Sequence, residues 1–182
     1  MNKFAALAAL GCVSANQNSM TIDLFNPGNF ANMGQHSLVK QMLDTTSLIQ
    51  ISDNDLGKVT YAQCDDDTGV FTFDADNTNN SPDPAVKGSD VTLNLAGIVS
   101  DTMEVKNVHI HVDWNGSSLY DEDNKQDNTY DSDYSYSLTW NIPAYAPSGA
   151  YHIILTGKDG DDKSLMCITA DMTLWSKWGS LT

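Results

Sequence analysis

Beyond Leu56 the apolar residues of this chain recur at every second position over most of its length. Val108-His-Ile-His-Val-Asp-Trp114 is the sharpest case. Val108, Ile110, Val112 and Trp114 project to one side, and His109, His111 and Asp113 to the other, as in a half-buried strand. Ser89–Ala96 repeats the pattern with Val91, Leu93 and Leu95 on one face, and Tyr134–Ile142 does so with Tyr136, Leu138 and Trp140. Lys58–Cys64, Val70–Phe73, Ala150–Leu155 and Leu165–Leu174 read as further strands, and Asn115-Gly116 is a tight-turn signal. After residue 57 no stretch has the helical period that a strand–helix–strand unit needs. The pattern predicts an all-β fold: an immunoglobulin-like two-sheet sandwich of about seven strands.

Residues 16–57 differ. Met20–Leu24 alternates like a short strand and Asn26-Pro-Gly28 breaks it. Apolar positions 38, 39, 42 and 43 have helical spacing, with Ser37 as a candidate N-cap, and Ser47–Ile51 reads as another strand. The segment is expected to be an N-terminal extension, or arm, of mixed strand and helix. Ahead of it, Met1-Asn-Lys3, the apolar Phe4–Val13 and the small residues Ser14-Ala15 form a signal-peptide pattern over 1–15, too short for the ~20 residues of a membrane span. A bacterial lipobox ending at Leu10-Gly11-Cys12 is the alternative, with Ala9 a poor match at its first position. Residues 58–176 then make the sandwich and 177–182 a tail.

Loss of 1–15 would remove Cys12 and leave Cys64 and Cys167, an even count suited to one bridge. Joining the first and last strands of the sandwich, such a bridge would stabilise the fold by roughly 4–5 kcal/mol in the chain-entropy model. It implies an oxidising location: secreted, extracellular or in the endolysosomal lumen. The formal net charge of −15, with lysine the only strongly basic residue type, opposes nucleic-acid binding, which needs the opposite sign.

Candidate chemistry is sparse. The acidic clusters Asp65–Asp67, Asp121-Glu-Asp123, Asp131 with Asp133, and Asp159–Asp162 could offer calcium oxygens, but none has EF-hand spacing. Solvated turns are the expected reading. His109 and His111 share a strand face and could supply two zinc ligands, yet that face is the polar one, so no metal is expected. No Gly-x-Ser-x-Gly elbow occurs, the acids fall mostly in expected turns, and neither catalysis nor a cofactor is predicted. Asn115-Gly-Ser117 is a glycosylation sequon that equally spells a hairpin turn; Asn79-Asn-Ser81 is a poorer one because Pro82 follows. The apolar faces would either fill a core or splay around a cavity for a water-insoluble ligand, and pattern leaves both open.

An ordered set of segments resembles the ML lipid-recognition family, which includes the lysosomal sterol carrier lost in one form of Niemann–Pick type C disease. Tyr61-Ala-Gln-Cys64 resembles its opening strand. Pro84–Gly88 followed by Val91–Leu95 resembles its Lys-Gly turn and second strand. Tyr134-Ser-Tyr136, Ile142-Pro143, Pro147–Tyr151 and Asp159–Cys167 resemble its tyrosine-rich strand, proline turn and last hairpin. The resemblance covers about residues 58–176 and implies a Cys64–Cys167 bridge and a lipid pocket between the sheets. Carried over as inward-facing positions, the lining would be Val91, Leu93, Leu95, Val108, Ile110, Tyr136, Leu138, Trp140, Tyr151 and Ile153. Sterol carriers of the family have two further disulfides, whose places hold Asn79–Pro84 and Asp121–Asp133 here. The second stretch stands where the family's pocket-mouth hairpin would lie. The resemblance implies a carrier of a sterol or phospholipid. The alternative is an extracellular subunit that self-associates, as a filament in one form, by strand addition through its 16–57 arm.

Overall fold

The period-two runs become strands in the computed structural model, which describes residues 19–23, 57–65 and 70–174. In chain order these are β1 (Ser19–Ile22), β2 (Val59–Gln63), β3 (Phe71–Phe73), β4 (Asn79–Ser81), β5 (Ser89–Val99), β6 (Met103–Trp114), β7 (Ser117–Tyr130), β8 (Asp133–Ile142), β9 (Gly149–Lys158) and β10 (Ser164–Leu174). One sheet runs β1-β8-β5-β3, with β4 also paired to β5; the other runs β2-β10-β9-β6-β7. No helix occurs among the described residues. The all-β, two-sheet expectation holds.

Along β5, β8 and β9 each apolar residue of the alternation is buried, and its neighbours are half-buried or exposed. The inner faces of both sheets meet in one continuous apolar cluster. Each fully buried large apolar side chain contributes roughly 1.5–3 kcal/mol, which fixes the register, since a one-residue slip would turn a whole face outward.

The turns are written locally. Asn115 and Gly116 have φ of 48° and 78°, both left-handed, as a two-residue hairpin loop between β6 and β7 requires. Asn115 Oδ1 also accepts the Ala150 amide at 3.0 Å. Between β9 and β10, Asp159 Oδ1 accepts the amides of Asp161 at 2.9 Å and Lys163 at 3.0 Å. The 159–162 acids are therefore a turn, as read from the sequence.

Two expectations are corrected. The described residues carry ten strands rather than about seven, and the cluster Asp121-Glu-Asp123 is not a solvated turn. It lies within β7, whose ladder on β6 extends from Trp114↔Ser117 to Met103↔Tyr130. An edge strand needs only one partner's backbone, so its side chains can be acids and amides. Its period is written in polar rather than apolar residues.

β2 lies antiparallel on β10, and the bridge forms there. Cys64 and Cys167 are 103 residues apart in sequence, with Cα atoms 5.4 Å apart. The Cys64 amide donates to the Cys167 carbonyl at 3.2 Å. The disulfide thus staples neighbouring strands of one sheet. At the other end of the chain, β1 pairs parallel with β8, Met20 opposite Leu138 and Ile22 opposite Trp140. The expected strand from Met20 to Leu24 is seen over Ser19–Ile22. The signal peptide, Leu24, the helix at 37–43, the strand at 47–51 and the tail lie outside the described residues.

Candidate functional site

The ten expected lining residues all reach the inter-sheet core. Val91, Leu93 and Leu95 from β5, with Tyr136, Leu138 and Trp140 from β8, form the centre of one inner face. Val108 and Ile110 from β6, with Tyr151 and Ile153 from β9, form part of the other, and none of the ten is more than 2% exposed. Aromatic rings gather towards two ends. Tyr134 packs edge-on against Phe71 with centroids 5.4 Å apart and lies 4.8 Å from Tyr130, while Trp140 meets Tyr151 edge-on at 5.5 Å. Burial pushes the hydroxyls of Tyr130 and Tyr136 up to about 12, and that of Tyr134 well above the ordinary tyrosine range.

Two donors inside this apolar interior, Tyr134 Oη–H and Trp140 Nε1–H, have no hydrogen-bond partner. A buried unpaired donor costs about 1–3 kcal/mol, so such groups are few in folded proteins.

The two open sides of the sandwich differ. Where β2 faces β3, Gln63 donates to the Phe71 carbonyl at 3.3 Å and accepts the Phe73 amide at 2.8 Å, and Tyr61 Oη donates to Asn80 Oδ1 at 3.3 Å. That side is laced shut. Where β7 faces β8 and β1, Gln126 Nε2 donates to Tyr136 Oη at 2.8 Å. Beside that bond is a cleft of about 410 Å³ lined by Ser19, Met20 and residues 123–128. Asn124, Gln126 and Asn128 are half-buried there, while Asp123, Lys125 and Asp127 between them are exposed.

Residues 58–174 match the family model described as the ML domain, more than half of the chain. The chain belongs to the ML domain family. A protein of Dictyostelium discoideum named for phosphatidylglycerol/phosphatidylinositol transfer is 29% identical over 117 residues, which are 59% of this chain and 82% of that one. Among solved structures, a Niemann–Pick type C2 protein from the Japanese carpenter ant aligns with a TM-score of 0.46 at 14% identity, covering 64% of this chain and 99% of that one. Chicken MD-1 complexed with lipid IVa aligns with a TM-score of 0.38 at 12% identity, covering 64% and 89%.

The outer face of this ML domain carries the histidine pair. His109 sits between Asp121 at 3.1 Å and Asp123 at 3.0 Å, and His111 between Asp113 at 3.1 Å and Asp121 at 3.5 Å. Hydrogen bonding from His109 holds the Asp123 carboxyl below the usual range, with Lys158 adding to it. These side chains pair with one another, and no group of three or more metal-ligating residues occurs among the described residues. A second cleft of about 480 Å³ opens on the same sheet's outer surface, lined by Lys58, Asp113, His152 and Asp171 together with Ala150, Tyr151 and Met172.

Sequence reasoning missed the amides of β7 and the inward residues of β1. The signal for the first was present: Asn124, Gln126 and Asn128 alternate with Lys125, Asp127 and Thr129, a period of two written in polar residues.

Proposed function

We propose that this ML domain is a secreted carrier that shelters the apolar part of a sterol or phospholipid between its two sheets, among the ten residues from Val91 to Ile153. The observation that carries the reading is the composition of the inter-sheet interior. Two facing apolar surfaces, rich in large aromatic and aliphatic side chains, meet there with two unpaired donors among them. Tyr134 and Trp140 are donors that a neutral ester or hydroxyl oxygen of a lipid would satisfy. The inner faces meet in the described structure, so a guest enters by parting them. Burying several hundred Å² of apolar ligand at ~25 cal/mol/Å² supports micromolar binding after association costs. The relative named for phosphatidylglycerol and phosphatidylinositol transfer makes those two phospholipids the first to test.

Secretion follows from the expected 1–15 signal and accords with the Cys64–Cys167 bridge. Among the described residues no helix is long and apolar enough to cross a membrane. A glycan on Asn115 belongs to the same reading; Asn115 is exposed, and its amide oxygen also braces the β6–β7 turn. The assembly alternative would donate the arm to a neighbour's sheet. Its short strand β1 is already paired within its own chain, which favours the carrier.

The test is lipid extraction and native mass spectrometry of protein purified from its source, followed by transfer between vesicles of phosphatidylglycerol, phosphatidylinositol and a sterol. Bound lipid at one per chain and transfer of at least one class are expected. Protein that carries no lipid and moves none of the panel is not a carrier.

A further inference from the structure

We propose that β1 is part of the lipid site: a strap that this chain lays over the side of the sandwich through which the ligand passes. Met20 and Ile22 act as its apolar plugs, and the inference rests on the carrier reading. Several observations converge on it. β1 lies outside the ML domain match at 58–174, so it is an addition to the family's minimal unit. It is nevertheless built into the core: Ile22 is 4% exposed and Met20 packs against the same apolar cluster as the expected lining. Its register sets those two side chains opposite Leu138 and Trp140, both of which are lining residues.

The side it covers is the side able to open. Across the sandwich, Gln63 ties β2 to the Phe71 carbonyl and the Phe73 amide of β3. On the β1 side, a cleft of about 410 Å³ separates the strap from residues 123–128 of β7, and the Gln126–Tyr136 hydrogen bond crosses between the sheets beside it. β1 is a four-residue edge strand, whereas β5 and β8 share a ladder running from Ser89↔Ile142 to Ile98↔Asp133. Short edge segments belong to the low-stability end of a fold and open first. When β1 lifts, the edge of β8 and the core side chains beneath it become reachable. An acyl chain or sterol ring then slides under Leu138 and Trp140, with its hydroxyl-bearing end left at the amides of Asn124, Gln126 and Asn128.

Two opposite variants of the full chain test this. Thr21 and Thr139 are register partners on the outer side of the sheet. Neighbouring strands lie ~4.8 Å apart, within reach of a disulfide. Thr21→Cys with Thr139→Cys, oxidised and verified by peptide mapping, locks the strap; Ile22→Asp loosens it. Uptake and release of a fluorescent phosphatidylglycerol are followed with vesicles of phosphatidylcholine containing that lipid. The locked protein is expected to exchange lipid at least ~tenfold more slowly than wild type, and Ile22→Asp ~tenfold faster, the change that a 1.4 kcal/mol shift in opening produces. Exchange at the wild-type rate in both variants overturns the strap while leaving the carrier intact. Wild-type protein that moves none of the lipid panel removes the carrier reading and the strap with it. If Ile22→Asp does not fold, the locked variant decides alone, because its substitutions lie on the outer face.

Discussion

Leu138 stands at the centre of β8, 0% exposed, with Leu93 opposite it on β5 and Met20 on β1. Leu138→Ala removes the equivalent of three methylene groups at ~0.8 kcal/mol each, roughly 2.4 kcal/mol of transfer free energy. The vacated volume adds a cavity term of ~24 cal/mol/Å³, since flanking strands held by ladders on both sides relax little. A total loss of about 3–4 kcal/mol is expected in lipid-free protein. The assay is urea unfolding of delipidated wild type and variant, followed by circular dichroism with both midpoint and slope recorded. A loss below about 1 kcal/mol with an unchanged slope would refute the reasoning. It would mean that Leu138 faces unfilled space and that the sheets do not meet there. With lipid at a hundred times its dissociation constant, wild type gains about 2.7 kcal/mol by mass action. The variant should gain at least as much, because the guest occupies the space the leucine left.

Replacing Cys64 and Cys167 by serine opens a loop of 103 residues and should destabilise the domain by about 4–5 kcal/mol, read as a lower midpoint in thermal or urea unfolding. A change under about 1 kcal/mol would show that the β2–β10 ladder holds without the bridge. Gly97→Ala would drive a Cβ into the Phe71 ring, whose Cζ lies 2.6 Å away, costing about 1–3 kcal/mol; restored stability in Gly97→Ala with Phe71→Leu would confirm the clash. Tyr130 and Tyr136, held up to about 12 by burial, keep their protons in the folded state while an unfolded tyrosine loses its own near 10. Their contribution is therefore complete below pH ~10 and is lost as pH rises from about 10 to about 12. Unfolding free energy measured across that window should fall steeply, and less steeply in Tyr130→Phe with Tyr136→Phe.

The inward positions were legible because burial on one face of a strand enforces a period of two, and residues from Val91 to Ile153 display it openly. Asn115-Gly116 and the Asp159 turn were legible for a related reason: left-handed backbone and side-chain-to-amide bonds act within a few residues. β7 was not legible. Its pairing partner is a backbone, its outer acids serve solubility and the histidines of β6, and from Asn124 to Asn128 its inner face is amide rather than apolar. β1 was recognised as a strand, but a four-residue alternation carries no information about which edge it will join.

The sequence by itself therefore determined which side chains leave water, where the chain turns, and that two cysteines would be available to meet. Those properties depend on neighbours along the chain. Only the tertiary structure decided which sheet edges face one another, that β1 lies along β8, and that one flank is tied by Gln63 while the other keeps a cleft. Those outcomes arise from contacts between residues far apart in sequence, where long-range pairing and shape, rather than local period, set the free energy.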